Sequence, residues 1–248
     1  MIDALHIASS GLRSEQKLID VISHNVANLQ TPGFKRTRVN FLELAAPSVA
    51  GTAQTGQGTR AETSTIFSMG ELRGTQNPLD VAIDGAGFFE LEAADGSAVY
   101  SRDGQFRLDS EGHLVSTNGL RLMRGFAVPQ DATDLRIAAN GEVTARLGSD
   151  TERTVIGTLE LASFTAADAL ESIGHNQYRA TDAAGVASYG LPGEAGLGAL
   201  QQGHVEMANV EMVDEMTTLV LAQRAYQLNA RVLQASDQIL ETINNLRR

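Results

Sequence analysis

Most groups able to do chemistry in this 248-residue chain are carboxylates: 30 Asp and Glu stand against 19 Lys and Arg, five His and no Cys. Two carboxylates at a suitable separation can carry out general acid–base hydrolysis of a glycosidic bond, and Asp84 and Asp103 are the acids at which such a role would be tested. His6, His24, His113, His175 and His204 are scattered without ligand spacing, so each reads as a surface or capping residue and no metal ligand is assigned. The lack of Cys removes a thiolate zinc site, a Cys nucleophile and a disulfide framework. H-E-x-x-H, G-x-x-x-x-G-K-[ST] and G-x-S-x-G do not occur. Gly85-Ala86-Gly87 lacks a third glycine, and Phe88-Phe89 follow where a phosphate-binding helix would open. No catalytic residue and no cofactor is therefore expected. A glycan-cleaving β-domain is kept as the enzyme alternative.

Charge narrows the partners. The formal net charge is −11 and the pI about 4.9, which argues against binding nucleic acid, because phosphates are neutralised by Lys and Arg. The charge is uneven: residues 1–49 carry four acids and five bases, residues 50–203 carry 20 and 10, and residues 204–248 carry six and four. An acidic, self-repelling centre lies between near-neutral ends, a pattern that suits ends built for contact and a centre built for solubility. No stretch approaches 18 apolar residues, so membrane insertion is not expected. The first twenty residues include Asp3, His6, Arg13, Glu15 and Lys17 and have no apolar core of a secretory leader.

The elements that must position any site are a helix at each end and β-structure between. Residues 2–29 have no Pro and one Gly, with Leu5, Leu12, Ile19 and Val26 at seven-residue spacing and Ala8, Ile22 and Leu29 widening the stripe. Thr31-Pro32-Gly33 stops the helix, since Pro disfavours helix in the residue before it. Asn25, Asn28 and Thr31 can act simply as its terminators. At the other end Val205, Met212, Leu219, Tyr226, Leu233 and Leu240 repeat every seven residues, predicting a helix from about 205 to 246 with a coiled-coil seam. Its length would be roughly 60 Å against roughly 40 Å for the first helix. That mismatch leaves apolar surface for a partner chain.

Between the ends, Asp95-Gly96, Asp103-Gly104, Glu111-Gly112, Asn118-Gly119 and Asn140-Gly141 are turn signals separating short strands. Phe106 and Leu108 alternate with Gln105 and Arg107 as on a half-buried strand. Residues 46–65 read as a small, polar connector and 182–203 as a return connector. The fold class is α+β: long N- and C-terminal helices pair as a coiled-coil-like stalk, and the centre is an antiparallel all-β domain. The boundaries are 1–30 for the first helix, 31–65 for the connector, 66–200 for the β domain and 201–248 for the last helix.

The run Ser23-His24-Asn25-Val26-Ala27-Asn28-Leu29-Gln30-Thr31-Pro32-Gly33-Phe34-Lys35 resembles the N-terminal signature of the bacterial flagellar basal-body rod and hook family, roughly N-N-x-A-N-x-x-T-x-G-F-K. His24 stands where that family usually has Asn. The likeness continues through Met69–Asp80, Ala82–Phe89, Tyr100–Phe106, Leu114–Gly119, Glu206–Val210 and Ala222-Gln223-Arg224-Ala225-Tyr226-Gln227. The last run is most similar to the distal rod members, with proximal rod members as the alternative; the connector at 46–58 is shorter than distal members usually have. The resemblance implies a structural subunit that polymerises through its terminal helices into a tubular shaft across the periplasm, passing torque from motor to hook. Its implied partners are further copies of itself, other rod proteins, the hook protein, the surrounding rings and the type III export apparatus, with no cleaved signal peptide. The residues expected to serve assembly are Asn25, Asn28, Thr31, Gly33, Phe34 and Lys35 in the first motif. In the C-terminal helix they are Met212, Leu219, Gln223, Arg224, Tyr226 and Leu233. Gly33-Phe34-Lys35 would direct the chain away from the helix and pack on a neighbour, with Gly33 at positive φ.

Overall fold

A computed structural model describes residues 2–43, 59–148 and 152–246. Of the connector expected at 46–65, residues 46–58 lie outside the described residues, as do the side chains of Leu5 and Leu240, while 59–65 form a strand and not a connector, as do 37–43 within the wider 31–65 span. The chain divides into two units, 1–27 with 37–64 and 210–248, and 28–36 with 65–209.

The first unit contains helix α1 (Ile2–Ala27), strands β1 (Thr37–Glu43) and β2 (Thr59–Thr65), which pair with each other, and helix α2 (Met212–Leu246). α2 opens with Asp214 and Glu215 in its first turn, where carboxylates complement the positive end of the helix dipole. α1 and α2 pack on each other. They approach closely at Gly11, where an added Cβ would lie 3.1 Å from the Asn229 side chain.

Two expectations for the C-terminal helix need correction. It begins at Met212: Val205, first in the seven-residue row, lies in a strand opposite Arg73. The row itself is also not the face turned inward. Met212 and Tyr226 are exposed and Leu219 and Leu233 half-buried, whereas Glu215 and Ala222, three positions on, are buried. Three residues rotate a helix by about 300°, so the buried row is the stripe beside the predicted one.

The second unit supplies strands β3 (Leu72–Gly74), β4 (Val81–Asp84), β5 (Phe89–Glu92), β6 (Ala98–Ser101), β7 (Phe106–Leu108), β8 (Leu114–Ser116) and β9 (Arg121–Leu122). It continues with β10 (Ala132–Ile137), β11 (Glu142–Leu147), β12 (Arg153–Thr158), β13 (Leu161–Ser163), β14 (Glu171–Gly174) and β15 (Gln177–Arg179). β16 (Ser188–Gly190), β17 (Ala199–Gln202) and β18 (His204–Glu206) complete it. β14-β15-β6-β5-β9-β8-β7 form one sheet and β10-β11-β12 another; β13 pairs with β16, β17 with β4 and β18 with β3. The paired registers are antiparallel, so the centre is an antiparallel β region as expected.

The turn signals have a common cause. Gly96, Gly112, Gly119 and Gly141 sit at positive φ between consecutive paired strands, while Gly104 has a different reason to be glycine: a Cβ there would collide with the Val81 carbonyl oxygen. Phe89 and Phe106 meet edge to face at 5.1 Å in a core with Leu91, Val99 and Leu114. Leu108 departs from its expected burial and is exposed. Residues 182–203 are not a plain connector: they contribute β16 and β17, and Leu200 is buried. Glycine-rich sequence here marks close backbone approach, as where Gly198 lies against Asp84 and Gly85.

Candidate functional site

The motif after α1 folds by local chemistry first. Thr31 donates its amide to the Asn28 carbonyl at 3.0 Å and its hydroxyl to Asn28 Oδ1 at 3.2 Å, while Phe34 N–H closes on the Thr31 carbonyl. Gly33 follows at φ +70°. Its N–H donates to the Glu206 carbonyl at 2.8 Å, and Asn176 donates to the Pro32 carbonyl. The positive φ expected for Gly33 is therefore present, with a second constraint that the sequence does not show. A Cβ on Gly33 would lie 2.5 Å from the backbone nitrogen of Asp103.

This turn delivers Phe34 and Lys35 into the interior. Lys35 is wholly enclosed, donating to Glu206 Oε1 at 2.5 Å and to the Ser68 carbonyl at 2.8 Å. Glu206 Oε1 also accepts from the Gly70 amide. Arg102 Nη1 lies 3.8 Å from Glu206 Oε2, Arg102 Nη2 donates to the Gly85 carbonyl, and the guanidinium stands 5.6 Å from the Phe88 ring centre. Three charges from positions 35, 102 and 206 are thus buried together, two positive and one negative. Burial lowers the Lys35 pKa, Glu206 opposes that shift, and the Arg102 charge adds to it. Burial lowers Arg102 likewise, again opposed by Glu206. The neighbouring Tyr178 phenol is pushed up, mainly by burial.

Asn209 makes a second tie. Its Oδ1 accepts from the Arg36 amide at 2.7 Å and its Nδ2 donates to the carbonyls of Ile66 and Ser68 at 2.9 and 3.0 Å, while Ile66 N–H donates to the Arg36 carbonyl. Residues 33–36, 66–70 and 206–209 are therefore held as one knot of backbone and buried charge. It has no arrangement of a nucleophile beside a base. What it can do is fix the directions of three chain segments.

The expected assembly residues separate into three groups. Gly33, Phe34 and Lys35 belong to the knot, and Asn28 and Thr31 form the turn that leads into it. Phe34 and Lys35 are enclosed by their own chain, so they offer no surface to a neighbour, contrary to that expectation. Asn25 sits in the other unit, buried, exchanging hydrogen bonds with both backbone groups of Thr37 at 2.9 and 3.0 Å. It clamps the start of β1 rather than merely ending a helix. Met212, Gln223, Arg224 and Tyr226 are exposed along α2, with Leu219 and Leu233 half-buried. The residues that sequence reasoning did not single out are Arg102, Glu206 and Asn209. They stand inside runs that carry the family resemblance, which is the signal that could have found them. A further grouping was also missed: Asp109, Glu111 and His113 bring possible ligand atoms within 4.8 Å of one another. Arg121 Nη2 already bridges its two carboxylates at 2.9 and 2.7 Å, so the cluster is an ion-pair network.

Comparison with known proteins gives these motifs a family. Residues 5–35 match the family described as flagella basal body rod protein, residues 82–145 the flagellar hook protein FlgE/F/G D1 domain, and residues 201–246 the flagellar basal body rod FlgEFG protein C-terminal. The flagellar basal-body rod protein FlgG of Borreliella burgdorferi is 35% identical over 264 residues, covering all of both chains. The chain belongs to the FlgG family of flagellar basal-body rod proteins. The FlgG of Bacillus subtilis is 36% identical over the whole of both chains, and that of Buchnera aphidicola from Schizaphis graminum 37% identical over 99% of this chain and all of its own. Membership makes the protein a structural component of the flagellar basal body and not an enzyme. No helix among the described residues is long and apolar enough to cross a membrane. The knot joins all three matched regions or their flanks: Lys35 closes the first, Arg102 lies within the second and Glu206 within the third.

Proposed function

We propose that the chain is a distal rod subunit which polymerises through α1 and α2, paired in a coiled-coil-like manner, into a tubular shaft that carries torque across the periplasm to the hook. One observation carries this reading. α2 leaves a run of large apolar side chains outside: Met216, Val220, Leu221, Leu228, Val232 and Ile239 are all about half exposed or more, Leu228 at 62%. A fully buried Leu stabilises by about 1.5–3 kcal/mol relative to an exposed one, so this stripe favours association with other chains. α2 has 35 residues against 26 in α1, about 52 and 39 Å, so part of its length is available to neighbours. Gln223, Arg224 and Tyr226 would then supply intersubunit hydrogen bonds and guanidinium stacking. Other rod proteins, the hook protein, the rings and the export apparatus are its further partners.

Leu228→Asp, at the most exposed position of that stripe, tests the reading. It places a charge in the proposed seam, where an unpaired ion is strongly unfavourable. The expected outcome is loss of rods and of motility in complemented cells, with the purified variant melting at the wild-type temperature. Normal motility would remove the helical seam from the mechanism.

A further inference from the structure

We infer that the groove between α1 and β2 is a receptor for carboxylates of a second copy of this chain; this rests on the reading of the protein as a self-assembling rod subunit. The groove encloses about 530 Å³, lined by Ser10, Arg13, Ser14 and Lys17 of α1 and Thr59 and Arg60 of β2, among others. Its floor is fixed: Ser14 Oγ donates to the Thr59 carbonyl at 3.2 Å, and the Thr59 amide donates to Ser10 Oγ at 3.4 Å.

Charge decides what fits. The chain carries 30 acids against 19 bases, yet three cations and no acid line this groove. Among the described residues, Arg13, Lys17 and Arg60 make no ion pair. Arg13 and Lys17 are four positions apart and so lie on one helix face, where like charges repel until an anion comes between them. The Ser10 and Ser14 hydroxyls already donate to the Ile7 and Thr59 carbonyls, which leaves the Ser9 hydroxyl on the same wall as a further donor to carboxylate oxygens. The complementary surface is encoded in the same molecule, since residues 50–203 carry 20 acids and 10 bases. A basic groove on one copy meeting an acidic face on the next uses two different patches. Such a heterologous contact need not close on itself and can propagate along a helical polymer. Electrostatic pairing of this kind also sets register and suppresses wrong contacts.

The lysine content supplies a clean test. Lys17 and Lys35 are the only lysines; Lys35 is fully enclosed, so Lys17 is the one reachable ε-amine. Carbodiimide treatment of isolated basal bodies joins an amine to a carboxylate in direct contact. The expected result is a ladder of cross-linked multimers of this chain. Peptide mapping should place Lys17 against an Asp or Glu from residues 65–209 of another copy, and Lys17→Arg should remove the ladder while leaving rods intact. Arg13→Glu with Lys17→Glu should lower the number of assembled copies by about tenfold, as expected for reversed charge at a complementary contact. Rods that form normally in that double variant overturn the proposal. So does a Lys17 cross-link confined to its own chain, for instance to Asp20, or made to another anionic component. Wild-type protein missing from basal bodies would overturn the rod reading itself, and this proposal with it; wild-type protein present without the ladder overturns this proposal alone.

Discussion

Gly33→Ala adds one methyl group at the point where the family motif meets the interior. Gly33 has φ +70°, and a residue with a Cβ loses about 1–2 kcal/mol in that left-handed region. The new Cβ would also lie 2.5 Å from the Asp103 nitrogen, 2.7 Å from its Cα and 2.9 Å from the Arg102 carbonyl carbon. These are backbone atoms, so no side chain can swing aside. The Asp103 amide is itself held by Ser101 Oγ at 3.0 Å, and the Gly33 amide by the Glu206 carbonyl. Overpacking of this kind costs about 1–3 kcal/mol, giving about 2–5 kcal/mol in total. For a unit of this size that lowers Tm by roughly 5–20 °C.

Gly119 separates the two contributions. It has φ +80° but nothing within 4 Å of an added Cβ, so Gly119→Ala should show only the backbone strain, about 1–2 kcal/mol. The assay is urea unfolding of the full chain, followed by near-ultraviolet dichroism of tyrosines; there is no Trp, and Tyr100 and Tyr178 are buried. Gly33→Ala should exceed Gly119→Ala by about 1–3 kcal/mol. Equal losses would mean that Asp103 does not press on Gly33, and the packing argument would fail. The sequence alone suggests that Ala is milder than Val here, though still harmful. The backbone contact predicts instead that Ala already carries most of the loss.

Lys35→Met leaves Glu206 buried with only the Gly70 amide and a distant Arg102, and should destabilise by about 3–5 kcal/mol; adding Glu206→Gln should recover part of that, and strictly additive losses in the urea cycle would refute the pairing. Burial raises the Asp103 pKa above 3.8, against bonds from the Gln105 amide and Thr117 hydroxyl, so the folded chain holds that proton more tightly than the unfolded one. Its contribution to stability is fully present below 3.8 and is lost as pH rises through the folded pKa, so the wild type minus Asp103→Asn difference should grow on acidification from neutral pH; a flat difference would refute it. Asn209→Asp keeps the acceptor for Arg36 N–H but loses the donations to Ile66 and Ser68, with an expected loss of about 2–3 kcal/mol. Amide exchange at Arg36 should quicken more in Asn209→Ala than in Asn209→Asp.

Both helices could be read from their seven-residue apolar spacing and from Pro32, because these are local patterns. Which face of α2 its own chain covers could not, because spacing identifies stripes and not their occupants. The row at Met212, Leu219, Tyr226 and Leu233 and the row at Glu215 and Ala222 share one period, and only tertiary packing chose the second. Val205 fitted the row by number while folding as a strand, since a seven-residue step is silent about the conformation between its ends. The turn glycines of the β unit were legible for the opposite reason: positive φ is a requirement of one residue. Lys35, Arg102 and Glu206 are 67 and 104 residues apart along the chain, and no local rule joins them. Their types nevertheless suit the task. A buried apolar contact tolerates small sliding, whereas a buried carboxylate accepting from Lys35 and the Gly70 amide tolerates little displacement before a charge is left unpaired. The chain passes between its two units at 27–28, 36–37, 64–65 and 209–210, and the knot grips the segments beside three of those passages. Within their own unit, residues 33–36, 66–70 and 206–209 therefore cannot slide past one another without breaking a buried charge pair or the Asn209 bonds.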